Sequence, residues 1–244
     1  MKGFDEMNMS LALLNWAAWA PGVTSKPDWH AWARGQKNIA QEGQPALEFV
    51  PALARRRMSR LTRMAMQAAE DCRGEKRDIT TVFASRHGEI HRSFGVLESV
   101  VAAEAVSPAD FSVSVHNAAS GLYGIQQGDR SASTTISAGT ETLEAAFAEA
   151  YAQLQSGTHE LLLVIADELV PSVYSAYIEE EEYPCALALH LAAGIHGGTL
   201  ISLLKTQMTA THDVLPHSLQ LLRLLCGEGD GRCGKWQWGI VHAQ

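Results

Sequence analysis

The sequence predicts an α/β protein, a mixed sheet with helices on its faces. Three observations lead there. Between about residues 79 and 168, β-branched and aliphatic runs alternate with stretches of helical periodicity, the pattern of a mostly parallel or mixed sheet. Glycines punctuate that alternation, with Gly88 ending one strand reading and Gly157 closing one helix reading. From Pro184 the alternation stops: "CALALHLAA" and "GTLISLLKTQ" read as consecutive strands separated by a short glycine-rich turn, as in antiparallel pairing.

Bulk composition bounds the function. The 244 residues suffice for a substantial core in a single domain. They are 46% hydrophobic and 19% charged, with no uninterrupted apolar run long enough to cross a bilayer, so no transmembrane segment is expected. A formal charge of −8 gives no footprint for nucleic acid. Cys72, Cys185, Cys226 and Cys233 are too dispersed for a disulfide scaffold, which favours a reducing, cytoplasmic setting. Cys226 and Cys233 flank "GEGDGR" at a spacing that fits no zinc pattern, so the segment reads as a turn, and neither metal nor cofactor is expected.

The elements follow in order. Met9 to Ala20 is apolar, but Asp5 and Glu6 oppose a secretory leader and Asn15 interrupts the run, so it reads as a buried first strand. Residues 21 to 48 read as a polar connection without sustained period. Pro51 opens a helix to about Asp71 with Met58, Leu61, Ala65 and Ala68 on one face and Arg56, Arg60 and Arg63 on another stripe. "ITTVFASRHGEI" begins as a strand, "GVLESVVAAEA" reads as a helix, and "SPADFSVSVHNAASGLYGIQQG" holds a connection and a small-residue helix. A strand from Ala132 to Ser137, a helix from Thr140 to Leu154 and the strand "ELLLVIADEL" come next. The acid run 179–182 reads as a solvated loop. "SLQLLRLLCG" reads as an amphipathic helix and "KWQWGIV" as a last strand with Trp236 and Trp238 on one face.

Taken together, "SVHNAASG", "ASTTISAGTETLEAAFAEAYAQLQSGTHELLLVIADE" and "CALALHLA" resemble, in order and spacing, the N-terminal half of β-ketoacyl synthases. The chain is most similar to the short, chain-length-factor-like subunits of aryl polyene biosynthesis. The resemblance implies a thiolase-like fold represented by its first half only, a single domain over residues 1–244 with 211–244 as a helix-strand extension. A half of this kind leaves apolar surface to be covered by its own tail or by a partner.

In an active synthase the nucleophilic cysteine lies between strand and helix, where the helix N-terminus favours a thiolate. The matching stretch here is Ser137-Ala138-Gly139-Thr140, so the position falls at or beside Gly139, without a thiol. Thr140 reads as the cap of the following helix, with Glu141 in its first turn. None of the ten histidines carries onto the pair that the synthases' second half supplies. The resemblance therefore implies no catalytic residue and a non-catalytic subunit paired with a full-length ketosynthase, receiving intermediates on acyl carrier protein. It implies a partner interface along Ala132, Ser133, Thr134, Thr135, Ile136 and Ser137, near His116 and Asn117. Leu122, Tyr123, Ile125 and Gln126 are candidate gates of the partner's acyl tunnel, or ordinary packing. Arg56, Arg60 and Arg63 are a candidate carrier-protein docking face, or a solvated helix face. The competing readings are a free-standing acyl-thioester hydrolase or decarboxylase using Ser137, Thr140 or His116, and a structural homodimer.

Overall fold

The computed structural model describes residues 8–178, 180–194, 198–206 and 215–242. In chain order these form β1 (Asn8–Trp19), α1 (Lys26–Ala33), α2 (Ala52–Arg55), α3 (Arg60–Arg73), β2 (Thr80–Ala84), α4 (Ile90–Val101), α5 (Pro108–Ser112) and α6 (Ala118–Gln127). Then come β3 (Ser133–Ile136), a 3₁₀ turn (Gly139–Glu141), α7 (Thr142–Gln155) and β4 (Glu160–Asp167). A second 3₁₀ segment (Ser172–Tyr177), β5 (Cys185–Ala192), β6 (Thr199–Lys205), α8 (His217–Leu225), β7 (Arg232–Cys233) and β8 (Trp236–His242) complete the fold.

All eight strands join one sheet in the order β3-β2-β4-β5-β1-β6-β8-β7. Strands β3, β2 and β4 are parallel, because α7 and its neighbours carry the chain back across the sheet between them; the rest pair antiparallel. Strand β4 runs Leu-Leu-Leu-Val-Ile rather than alternating, and Leu161 to Ile165 are buried on both faces. On one face Leu161, Leu163, Ile165, Leu187 and Leu189 pack under α7, α8 and Trp29 of α1. On the other, Leu162, Val164, Ala186 and Ala188 pack under the Met64-Ala65-Ala68-Ala69 stripe of α3 and Tyr123 of α6.

The mixed α/β class stands, and five local readings need correction. Residues 21–48 contain α1, which starts at a capping box: the Ser25 side chain accepts from the Asp28 amide while the Asp28 carboxylate accepts from the Ser25 amide. The helix opened by Pro51 is two helices, since Ser59 caps α3 by accepting from the Thr62 amide at 3.0 Å, leaving Arg56 outside it. α4 starts at Ile90, ahead of the expected Gly95. Strands β5 and β6 do not pair with each other; β1 lies between them and pairs antiparallel with both. Thr140 lies within the 3₁₀ turn and does not cap α7, which starts at Thr142.

Of the proposed extension, 211–214 and 243–244 fall outside the described residues, as does Glu179 of the acid run. The described part of the tail is built into the body. Strand β8 extends the sheet beyond β6, and the buried Trp238 meets Phe147 of α7 edge-on with ring centroids 4.9 Å apart. Apolar surface remains elsewhere: α4, α5, α6 and the α5–α6 connection present Leu97, Val100, Val101, Phe111, Val115 and Ile125 to solvent.

Candidate functional site

The three parallel strands end side by side, and in such sheets the crevice beyond their carboxyl ends is where ligands bind. Those ends supply Arg86 after β2, Gly139 after β3, and Asp167 with Glu168 at the close of β4; with Glu180–Glu182 and His217 they line one pocket. Asp167 Oδ1 accepts from the Ser85 hydroxyl at 3.1 Å and the Arg86 amide at 2.7 Å. Burial pushes the Asp167 carboxyl up to about 6 against the lowering effect of those bonds. Burial, helped by the neighbouring Arg86 charge, holds His87 below the usual imidazole range.

The acid run does not form a solvated loop. Glu180 pairs with Arg86 and its side chain is only 10% exposed, while Glu182 Oε2 accepts from the Val170 amide at 3.1 Å. The loop thus closes one side of the pocket. The pocket is narrow and opens to solvent on its other side.

Gly139 has φ +61°, and a Cβ built there would meet nothing within 4 Å. Space is available for a side chain; the left-handed backbone is what selects glycine. The local bonding is done by Thr142, whose hydroxyl accepts from the Ala138 amide at 3.0 Å and donates to the Gly139 carbonyl at 2.7 Å. Glu141 is tied to the tail, its carboxylate 2.5 Å from Lys235 Nζ and accepting from Trp236 Nε1 at 3.3 Å. Its charge is therefore matched locally.

Ser137 and His116 are both spent on the β2 terminus: Ser137 Oγ donates to the Arg86 carbonyl at 3.0 Å, and His116 Nε2 donates to the Ser85 carbonyl at 2.9 Å. No hydrogen bond joins Ser137, Thr140 and His116 to one another, so they form no nucleophile-base pair. His116 also lies where a Gly88 Cβ would be, 2.8 Å from its Cδ2, with Gly88 at φ +58°. Asn117 precedes α6 and makes no side-chain cap.

Strand β3 is a sheet edge, bonded to β2 alone. Ala132, Ser133 and Ser137 are exposed there, and Thr134, Thr135 and Ile136 half-buried. Of the gate candidates on α6, Tyr123 faces inward: it is 2% exposed, its ring 5.6 Å from Phe83. Leu122 is half-buried against the α3 side of the core and Gln126 half-buried, whereas Ile125 is 73% exposed. The arginines form no free stripe. Arg60 grips Glu168 with both Nε, at 2.5 Å, and Nη2. Arg63 Nη2 donates to the Arg55 carbonyl at 2.5 Å, and Arg56 alone is exposed.

What sequence reasoning missed are the pairings that hold the strand ends together, Asp167 with Ser85 and Arg86, and Glu168 with the docking candidate Arg60. The one local signal for them was two acids closing an otherwise apolar strand.

A mixed sheet of this kind, with helices on both faces and its parallel strands ending at one crevice, defines a condensing-enzyme-like domain. Residues 29–239 match the family model of the β-ketoacyl synthase N-terminal domain, and the chain belongs to that family. A comparison with curated proteins gave no match. Among solved structures, the chain is similar to a chain of the ketosynthase ApeO in complex with its chain length factor ApeC from Xenorhabdus doucetiae. The identity is 26% and the TM-score 0.80, over 95% of this chain and 99% of that one. It is also similar to a β-ketoacyl synthase from Burkholderia phymatum, at 15% identity and TM-score 0.59 over 92% of this chain and 72% of that one. A third likeness is to AntDE:AntF, a type II polyketide synthase acyl carrier protein in complex with its ketosynthase, at 10% identity and TM-score 0.55 over 76% and 63%. The last two establish the thiolase-like fold alone.

Proposed function

We propose that the chain is a non-catalytic, chain-length-factor-like subunit that pairs with an active β-ketoacyl synthase in aryl polyene or related chain elongation. The observation that carries this is Gly139. The resemblance puts the family's nucleophile position at or beside Gly139, a left-handed glycine without a thiol, and the neighbouring Ser137 hydroxyl is bonded to the Arg86 carbonyl rather than to a base. The likeness to a chain of a ketosynthase and chain length factor complex, over nearly the full length of both chains, supports the pairing.

The partner docks on the open edge of β3, from Ala132 to Ser137, where main-chain groups unpaired within one chain continue into the partner's sheet. α6 packs beside β3, and its exposed Ile125, with the exposed apolar residues of α4 and α5, is apolar surface for the partner to cover. Ile125 is the gate candidate best placed to reach the partner's acyl tunnel, while Leu122 and Gln126 back it and Tyr123 holds α6 to the body. Carrier protein docks through the complex, with Arg56 the arginine open to it. No helix among the described residues is long and apolar enough to cross a membrane, in keeping with work in the cytoplasm.

Co-purification with a full-length ketosynthase, followed by an elongation assay of the pair and of each chain alone, tests this. A stoichiometric complex active only as a pair is the expected result. No complex, or turnover by this chain alone, overturns it and returns Ser137, Thr140 and His116 to consideration as catalysts.

A further inference from the structure

Behind the pocket wall, three elements bring three metal-ligating side chains together: Glu144 from the first turn of α7, His217 from the start of α8 and Cys233 from β7. One ligand atom from each lies within 4.8 Å of the others, and all three residues are buried. His217 Nδ1 is 2.9 Å from both Glu144 oxygens, and Trp238 Nε1 donates to Glu144 Oε1 at 3.2 Å. Cys233 Sγ faces the His217 carbonyl at 4.0 Å.

We infer that Glu144, His217 and Cys233 form a zinc site that clips the tail to the body of the domain. A thiolate, an imidazole and a carboxylate are a donor set suited to Zn²⁺ and unsuited to Mg²⁺ or Ca²⁺, which take oxygen alone. Two anionic ligands balance the divalent charge, so the group is neutral where the protein is dry. Binding releases the thiol proton to solvent, leaves His217 a neutral imidazole with its one proton on the ring nitrogen turned away from the metal, and forms Zn–S, Zn–N and Zn–O bonds. Trp238 is the outer-shell partner that orients the carboxylate. The fourth position of the tetrahedron is left to water or another donor. Residues 226–233, whose cysteine spacing fits no zinc pattern, supply only Cys233; the other two ligands come from 16 and 89 residues upstream.

The test uses the full chain, stripped with chelator and titrated with Zn²⁺ or Co²⁺ alone. About one equivalent of zinc binds, the melting temperature rises with it, and the cobalt form shows a thiolate-to-metal charge-transfer band. C233S abolishes the band, C226S leaves it unchanged, and Trp238→Phe keeps the stoichiometry while weakening affinity roughly 10- to 100-fold. Should C233S fail to fold, X-ray absorption of the zinc-loaded wild-type chain decides, one sulfur neighbour being expected. No stoichiometric zinc, a band that persists in C233S, or a zinc shell without sulfur overturns the assignment.

Discussion

Arg60 separates a structural arginine from a docking one. Replacing it with methionine removes both contacts to Glu168, whose side chain is 6% exposed, and the Nη1 bond to the Gln41 carbonyl. Breaking a buried pair from one side costs about 3 to 5 kcal/mol, because the abandoned charge stays dry. The Arg60 side chain is a quarter exposed, which admits some water to Glu168 and places the expected loss near the lower end, about 3 kcal/mol. For a chain of this size that is a fall of about 6 to 12 °C in melting temperature. Urea unfolding of wild type, R60M, Glu168→Gln and the double variant gives the coupling energy, expected at about 1 to 3 kcal/mol with an unchanged denaturant slope. A loss for R60M below about 0.5 kcal/mol with no coupling would refute the argument and free Arg60 for carrier-protein docking. Arg56→Glu, at an exposed position, changes stability by no more than about 0.5 kcal/mol and reports on docking alone.

Three further outcomes are expected. Because the Asp167 carboxyl titrates at about 6 in the folded chain against 3.8 unfolded, its contribution is greatest below pH 4 and is lost as pH rises through 6. D167N, whose amide oxygen still accepts from Ser85 and Arg86, therefore gains on wild type by up to about 3 kcal/mol between pH 4 and 7, read by urea unfolding; a pH-independent difference sinks this. G139A costs about 1 to 2 kcal/mol in thermal unfolding from backbone strain alone, and an unchanged melting temperature would mean that the turn readjusts. Ile125→Trp leaves stability within about 0.5 kcal/mol and shortens the product made with the partner synthase, whereas an unaltered product spectrum removes Ile125 as a gate.

What the sequence carried legibly was local. Alternation of period and the glycines that punctuate it rest on a few adjacent residues, and the structure bears out the strand-and-helix order they imply. The misreadings share one cause, contacts between residues far apart in the chain. Nothing near "CALALHLAA" or "GTLISLLKTQ" announces that β1 separates them. The acid run reads as solvated until Arg86 and the Val170 amide are placed against it. Arg60 has no acidic residue within a helical turn of it in sequence, and only the fold brings Glu168, 108 residues away, to it. At Thr140 the error was shorter in range: a 3₁₀ turn stands between it and α7, Thr142 bonds within that turn, and the N-cap residue Glu141 makes no side-chain cap.

Strand β1 is synthesised before the other described strands yet sits in the middle of the sheet, between β5 and β6. At ordinary rates of chain growth the ribosome takes about 10 to 30 s to deliver β5 after β1 has emerged, and longer to deliver β6. Throughout that interval "SLALLNWAAW" has neither neighbour, an apolar, charge-free ribbon with both flanks open. Until β5 and β6 arrive, that ribbon is the segment of the nascent chain open to pairing with another molecule, and shielding it falls to chaperones.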